Sequence, residues 1–115
     1  MSSDRDAETH ENDVDSAELA AQVYALAREV PAGRVMSYGA LGARCEPPIS
    51  GYICGRIMRT PNEANVPWWR IVAKTGALPI IKRNPQLADE QRALLESEGI
   101  GFKGDSIEMA KFAID

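Results

Sequence analysis

Few side chains in this sequence are equipped for proton transfer, metal ligation or nucleophilic attack. The single histidine, His10, sits in a polar leader, so the folded part holds neither a His-based triad nor a His-rich metal site. Cys45 and Cys54 are nine positions apart, which fits neither a Cys-x-x-Cys motif nor a disulfide framework. Both read as small buried thiols, Cys54 on the inner side of one helical stretch and Cys45 at the end of another. A metal-dependent nuclease needs a cluster of carboxylates, and residues 34–83 contain only Glu46 and Glu63. What remains is aromatic and basic: Trp68-Trp69-Arg70, Tyr38, and Tyr52, Arg56 and Arg59 at i, i+4 and i+7. Such groups can stack on bases and pair with phosphates. The bland alternatives are a pair of core tryptophans and an exposed tyrosine with no special role.

The charge distribution points the same way. The whole chain carries a net charge of -4, yet residues 34–83 hold eight bases against two acids, +6. Residues 1–15 carry -5 and residues 84–115 carry -4. A basic middle suits a polyanionic partner, and a solvated basic face is the alternative. With 115 residues, 44% apolar and 26% charged, the chain suits one soluble domain with one modest core. No apolar run approaches the roughly 20 residues that span a bilayer, and the opening MSSDRDAETHENDVD is too polar for a signal peptide. The expected setting is intracellular, cytoplasmic (a bacterial nucleoid) or nuclear, with no membrane partner.

These side chains need elements to position them. Residues 1–14 form an acidic leader expected to be disordered, and residues 15–115 the domain. Asp15 and Glu18 resemble a capping box, and Leu19, Val23, Leu26, Ala27 and Val30 recur at helical spacing, predicting a helix over 16–30. Pro31 and Gly33 end it. Arg34-Val35-Met36 reads as extended, and Ser37 caps a short helix containing Tyr38, Leu41 and Ala43. After the turn Glu46-Pro47-Pro48, a third helix is expected over about 49–59. Its predicted core stripe is Ile49, Ile53 and Ile57 with Cys54 and Met58, leaving Tyr52, Arg56 and Arg59 on another face. Gly51 and Gly55 each cost a helix about 1 kcal/mol relative to Ala. They are expected where a neighbouring helix or a phosphate chain comes close. The pair of helices reads as helix-turn-helix. Trp68 to Val72 is a short strand or buried turn, and Ala77 to Ile81 is extended. Asn84-Pro85 caps a helix over about 86–98 that stops at Gly99. Leu87, Gln91, Leu94 and Glu98 share one face of it, so Glu98 is an acid near the core. Phe102 and the last ten residues form a short strand or a tail.

Three segments in this order resemble the O6-alkylguanine-DNA alkyltransferase domain: Val35 to Leu41, Ser50 to Met58, and Val66-Pro67-Trp68-Trp69-Arg70-Ile71-Val72. Leu94-Leu95-Glu96-Ser97-Glu98-Gly99 also fits, and the likeness spans roughly residues 19–102. Family members carry Pro-Cys-His-Arg, whose cysteine accepts the alkyl group. The sister group of alkyltransferase-like proteins has tryptophan there, and Pro67-Trp68-Trp69-Arg70 is closer to it. The resemblance implies a mainly α fold with a little β, a winged-helix-like helix-turn-helix DNA-binding domain. It implies double-stranded DNA containing O6-alkylguanine as partner, nucleotide flipping, hand-over to nucleotide excision repair, a monomeric state, and no cofactor or metal. An indole cannot take an alkyl group in place of a thiolate, so no enzyme activity is expected and no residue is catalytic.

By the same resemblance the base pocket is lined by Trp68, Trp69, Tyr38 and Ile81. Tyr52 stands where the family has its flipping arginine and would act as a wedge. Tyr38 matches the tyrosine that presses on the target nucleotide's phosphate. The DNA-backbone candidates are Tyr38, Arg44, Ser50, Gly51, Arg56, Arg59, Lys74, Lys82 and Arg83. Arg70 holds the loop, and Glu98 fits the family glutamate. An indole N–H only donates, so a bond from Trp69 Nε1 to the Glu98 carboxylate is expected. The departures at Trp69 and Tyr52 leave a second possibility, a degenerate member with weak non-specific DNA binding or a protein-interaction role.

Overall fold

The computed structural model describes residues 17–59, 65–78 and 84–114. The acidic leader, the capping-box Asp15, and Ile81, Lys82 and Arg83 lie outside the described residues. Helix α1 covers 17–28 and closes in a tightened turn, with the Glu29 and Val30 amides donating to the carbonyls of Leu26 and Ala27 at 3.1 Å each. Val23, Ala27 and Val30 turn inward, as the spacing predicts; Leu19 and Leu26 pack only partly against the core, and Tyr24, outside the predicted stripe, is buried as well. Strand β1, Met36–Ser37, pairs in parallel with β2, Ile71–Val72, in the register Met36↔Ile71 and Ser37↔Val72.

Ser37 then caps helix α2, Tyr38–Ala43, its hydroxyl accepting the Ala40 amide at 3.1 Å. Helix α3, Gly51–Arg59, is capped in the same way by Ser50, whose hydroxyl accepts from Ile53 at 3.2 Å. The two helices meet at glycines. A Cβ on Gly42 would stand 2.5 Å from the Ile49 carbonyl oxygen, and one on Gly51 would stand 3.0 Å from the Gly39 nitrogen. Close helix approach therefore accounts for Gly51. From α1, Gln22 holds the connecting turn, accepting from the Glu46 amide at 2.6 Å and donating to the Glu46 carbonyl at 3.3 Å.

The core stripe of α3 needs correcting. Cys54 and Met58 are buried and Ile49 and Ile57 pack partly against the core, but Ile53 is 43% exposed. Only the Cys54–Met58 side of α3 is fully covered; Ile53 lies beside Tyr52 on the open side.

Residues Trp68–Arg70 form a 3₁₀ turn leading into β2, which resolves the strand-or-turn alternative as one followed by the other. Helix α4, Pro85–Ser97, begins with the Asn84 side chain accepting from Leu87 at 3.0 Å and Pro85 in its first turn. It stops where Gly99 takes φ +86°, a left-handed angle that glycine tolerates best. Strands β3, Phe102–Lys103, and β4, Ser106–Ile107, form an antiparallel hairpin, and α5, Met109–Phe112, follows. The segment after α5 returns to β1: Val35 donates to the Phe112 carbonyl at 3.0 Å and accepts from Ile114 at 2.8 Å.

Two apolar clusters result. One joins α1, α2, α3 and Ile71; the other joins Val35, Val72, Leu78, Leu95, Ile100 and Ile107. The fold is mainly helical with two small sheets. No helix among the described residues is long and apolar enough to cross a membrane.

Candidate nucleic-acid interface

Helix α3 presents an aromatic and basic face. Tyr52 is 74% exposed, Arg56 and Arg59 are exposed on the following turns, and the Arg56 guanidinium lies 6.0 Å from the Tyr52 ring centre. Among the described residues of α3 there is no acid. Tyr38, at the start of α2, packs against the first cluster with its ring 3.8 Å from where a Gly55 Cβ would be. A Cβ at Gly55 would make only ordinary contact with that ring, so close approach of the ring does not require this glycine. Burial, with a smaller contribution from nearby Cys54, pushes the Tyr38 phenol up to about 12, so its hydroxyl is a neutral donor at physiological pH. Arg44 at the end of α2 and Lys74 after β2 are exposed cations. Lys74 lines a groove of about 390 Å³ with Ser37, Gly39, Ala40, Met109, Ala113 and Ile114.

The aromatic turn is held from behind. Trp69 Nε1 donates to Glu98 Oε2 at 3.0 Å, the bond expected from the sequence. Arg70 grips the same carboxylate through Nη2 at 2.7 Å and Nε at 3.0 Å, and reaches the Val30 carbonyl through Nη1 at 2.9 Å. Its guanidinium also stacks 5.3 Å from the Trp69 ring centre. Desolvation works to raise the Glu98 carboxyl. The bonds from Arg70 and Trp69, the Arg70 charge and the Gly33 amide outweigh it and hold the carboxyl below its ordinary value. Glu98 is therefore an anchored anion with its lone pairs engaged, an acceptor for donors that release no proton at neutral pH.

Gln91 adds a contact that side-chain spacing did not disclose. Its amide donates to the Trp69 carbonyl at 3.1 Å and lies 3.5 Å from that of Ile71, tying the turn and the start of β2 to α4. Its place on the apolar face beside Leu87 and Leu94 was the only signal, and a polar residue there demands a partner.

Trp68 and Trp69 part company at this turn. Their rings stand edge to face, centroids 6.1 Å apart and planes at 89°. Trp68 packs against the first cluster, the one that also holds Tyr38, whereas Trp69 packs against the second. Both thiols are buried, and burial raises both; Cys54 is pushed up to about 12, with nearby Cys45 adding to the effect. Ser50 caps α3, and Gly51 abuts α2. Of the remaining backbone candidates, Lys82 and Arg83 lie outside the described residues, as does Ile81 of the pocket set.

Two helices packed through glycines, with a charged aromatic face and a braced aromatic turn, define a helix-turn-helix domain. The sequence profile described as 6-O-methylguanine DNA methyltransferase, DNA binding domain, matches residues 18–100, and the chain belongs to that family. A protein of Vibrio parahaemolyticus named DNA base-flipping protein is 28% identical over 80 residues, covering 69% of this chain and 77% of the relative. The fold is similar to S. pombe Atl1 in complex with damaged DNA containing O6-carboxymethylguanine, with a TM-score of 0.71, 24% identity, and 86% of this chain and 96% of that chain covered. A second S. pombe structure, ATL in complex with DNA, gives 0.72 at 23% identity over the same shares.

Proposed function

We propose that this protein binds double-stranded DNA and holds a flipped O6-alkylguanine without transferring its alkyl group. The observation that carries the reading is the seat of Trp68. The sequence resemblance puts it at the family's acceptor position, and its turn is braced by Glu98 and Gln91, against the cluster that holds Tyr38. An indole at that seat offers a face for stacking and no nucleophile. Helix α3 would approach the minor groove, with Tyr52 entering the stack where the base left and Arg56 and Arg59 pairing with phosphates. Arg44, Ser50, Gly51, Lys74, Lys82 and Arg83 are the further backbone contacts, and Ile81 and Trp69 complete the pocket wall. The neutral Tyr38 hydroxyl would donate to the phosphate of the rotated nucleotide. The protein would act as a monomer inside the cell and pass the lesion to nucleotide excision repair.

The test is a titration of O6-methylguanine and unmodified duplexes at two salt concentrations, followed by mass spectrometry of the protein. The modified duplex should bind more tightly, both affinities should fall with salt, and Trp68→Ala should remove the difference. Equal affinities would favour non-specific binding instead. A methyl group gained by Cys45 or Cys54 would overturn the non-enzymatic reading.

A further inference from the structure

Between α1 and α3 lies a groove of about 280 Å³ lined by Leu19, Ile53, Arg56 and Ile57. Leu19 is in the first described turn of α1, so the chain preceding α1 joins the domain beside the exposed face of α3. That preceding chain carries Asp4, Asp6, Glu8, Glu11 and Asp13 against Arg5 alone. The face it adjoins carries Arg56 and Arg59 with no acid on α3; on α1 the exposed Glu18 directly precedes Leu19. We propose that residues 4–13 dock on this face of α3, covering Tyr52, Ile53, Arg56 and Arg59 as an internal polyanion.

The charges are complementary and the tether is short. Asp13 stands four residues before 17 and reaches at most roughly 14 Å from it. Pairing is intramolecular, at an effective concentration on the order of millimolar. Each exposed ion pair contributes little and is screened by salt, so the contact is reversible. Because phosphates of DNA would use the same cations, the segment competes most strongly against weakly held, undamaged duplex. That competition rests on the DNA-binding reading above; the docking does not.

A nitroxide on Ala7→Cys in the full chain tests the docking, since the native thiols are buried. The label should broaden the amide signals of Ile53, Arg56 and Ile57 at about 50 mM salt. Broadening should lift at about 500 mM and in the chain carrying D4N, D6N, E8Q, E11Q and D13N. Broadening of α3 that ignores both salt and neutralisation, or none at all, would overturn the proposal. In a second arm the neutralised chain should bind unmodified duplex about fivefold more tightly at low salt and equally at high salt. Salt-sensitive broadening with no DNA binding by either chain would uphold the docking and sink the DNA-binding reading. Equal DNA affinities without broadening would do the reverse.

Discussion

Replacing Glu98 by alanine should cost about 3 kcal/mol of folding stability. The substitution removes the acceptor for Trp69 Nε1 and for the forked Arg70 contact, and leaves Arg70 with the Val30 carbonyl. Hydrogen bonds to charged groups contribute about 1.5–3 kcal/mol each, and breaking a buried ion pair costs about 3–5 kcal/mol. The Arg70 and Glu98 side chains are 17% and 14% exposed, so water can partly replace the lost partner and the lower end applies. At about 4–8 °C per kcal/mol, Tm should fall by roughly 12–24 °C. Urea unfolding followed by tryptophan fluorescence is the natural assay, because Trp68 and Trp69 are the only tryptophans and both sit in the affected turn. The pH dependence gives a second check. The Glu98 carboxyl titrates lower in the folded chain than its ordinary value of 4.5, so its stabilisation is complete above that value. It is lost as pH falls through the lowered folded value. The stability gap between wild type and Glu98→Gln should hold near neutrality and close in that acid range. A Glu98→Ala loss under about 0.5 kcal/mol, in the range of ordinary surface substitutions, would refute the brace. So would a gap indifferent to acid.

Gly42→Ala should destabilise by about 1–3 kcal/mol, because its methyl meets the Ile49 carbonyl at 2.5 Å. Gly55→Ala, whose methyl meets only the Tyr38 ring at 3.8 Å, should gain up to about 1 kcal/mol from helix propensity; urea midpoints of the two variants check both. Tyr52→Ala should leave stability unchanged, since the side chain is 74% exposed. It should weaken binding to modified duplex by about 1–3 kcal/mol in a fluorescence titration. A thiol-reactive dye should label neither cysteine in the native chain near neutral pH and both in urea, as burial raises the two thiols. A native thiol reacting at the free-cysteine rate would contradict that burial.

Local chemistry was the legible part of the sequence. Ser37 and Asn84-Pro85 cap where their types demand, because a cap bonds within three residues. The Trp69–Glu98 bond followed from donor and acceptor chemistry once the family resemblance placed the pair together. Ile53 was misplaced because helical spacing groups residues on a face without saying what covers that face, and α3 is fully covered only around Cys54 and Met58. The parallel pairing of β1 with β2 joins residues 35 positions apart, two per strand, too short to show an alternating pattern. The hairpin of β3 and β4 has the same two-residue strands, so Phe102 announced an apolar anchor without announcing a pair.

The division between the two clusters has a consequence for birth on the ribosome. The first cluster's buried members end at Ile71, whereas Gln91 and Glu98, which hold the aromatic turn, emerge later. Since domains tend to assemble from the N-terminal end as the chain is made, the first helices can pack while the seat for Trp68 is still loose. A nascent chain halted before α4 would own helices α1 to α3 but lack the fastening that gives the tryptophan its address.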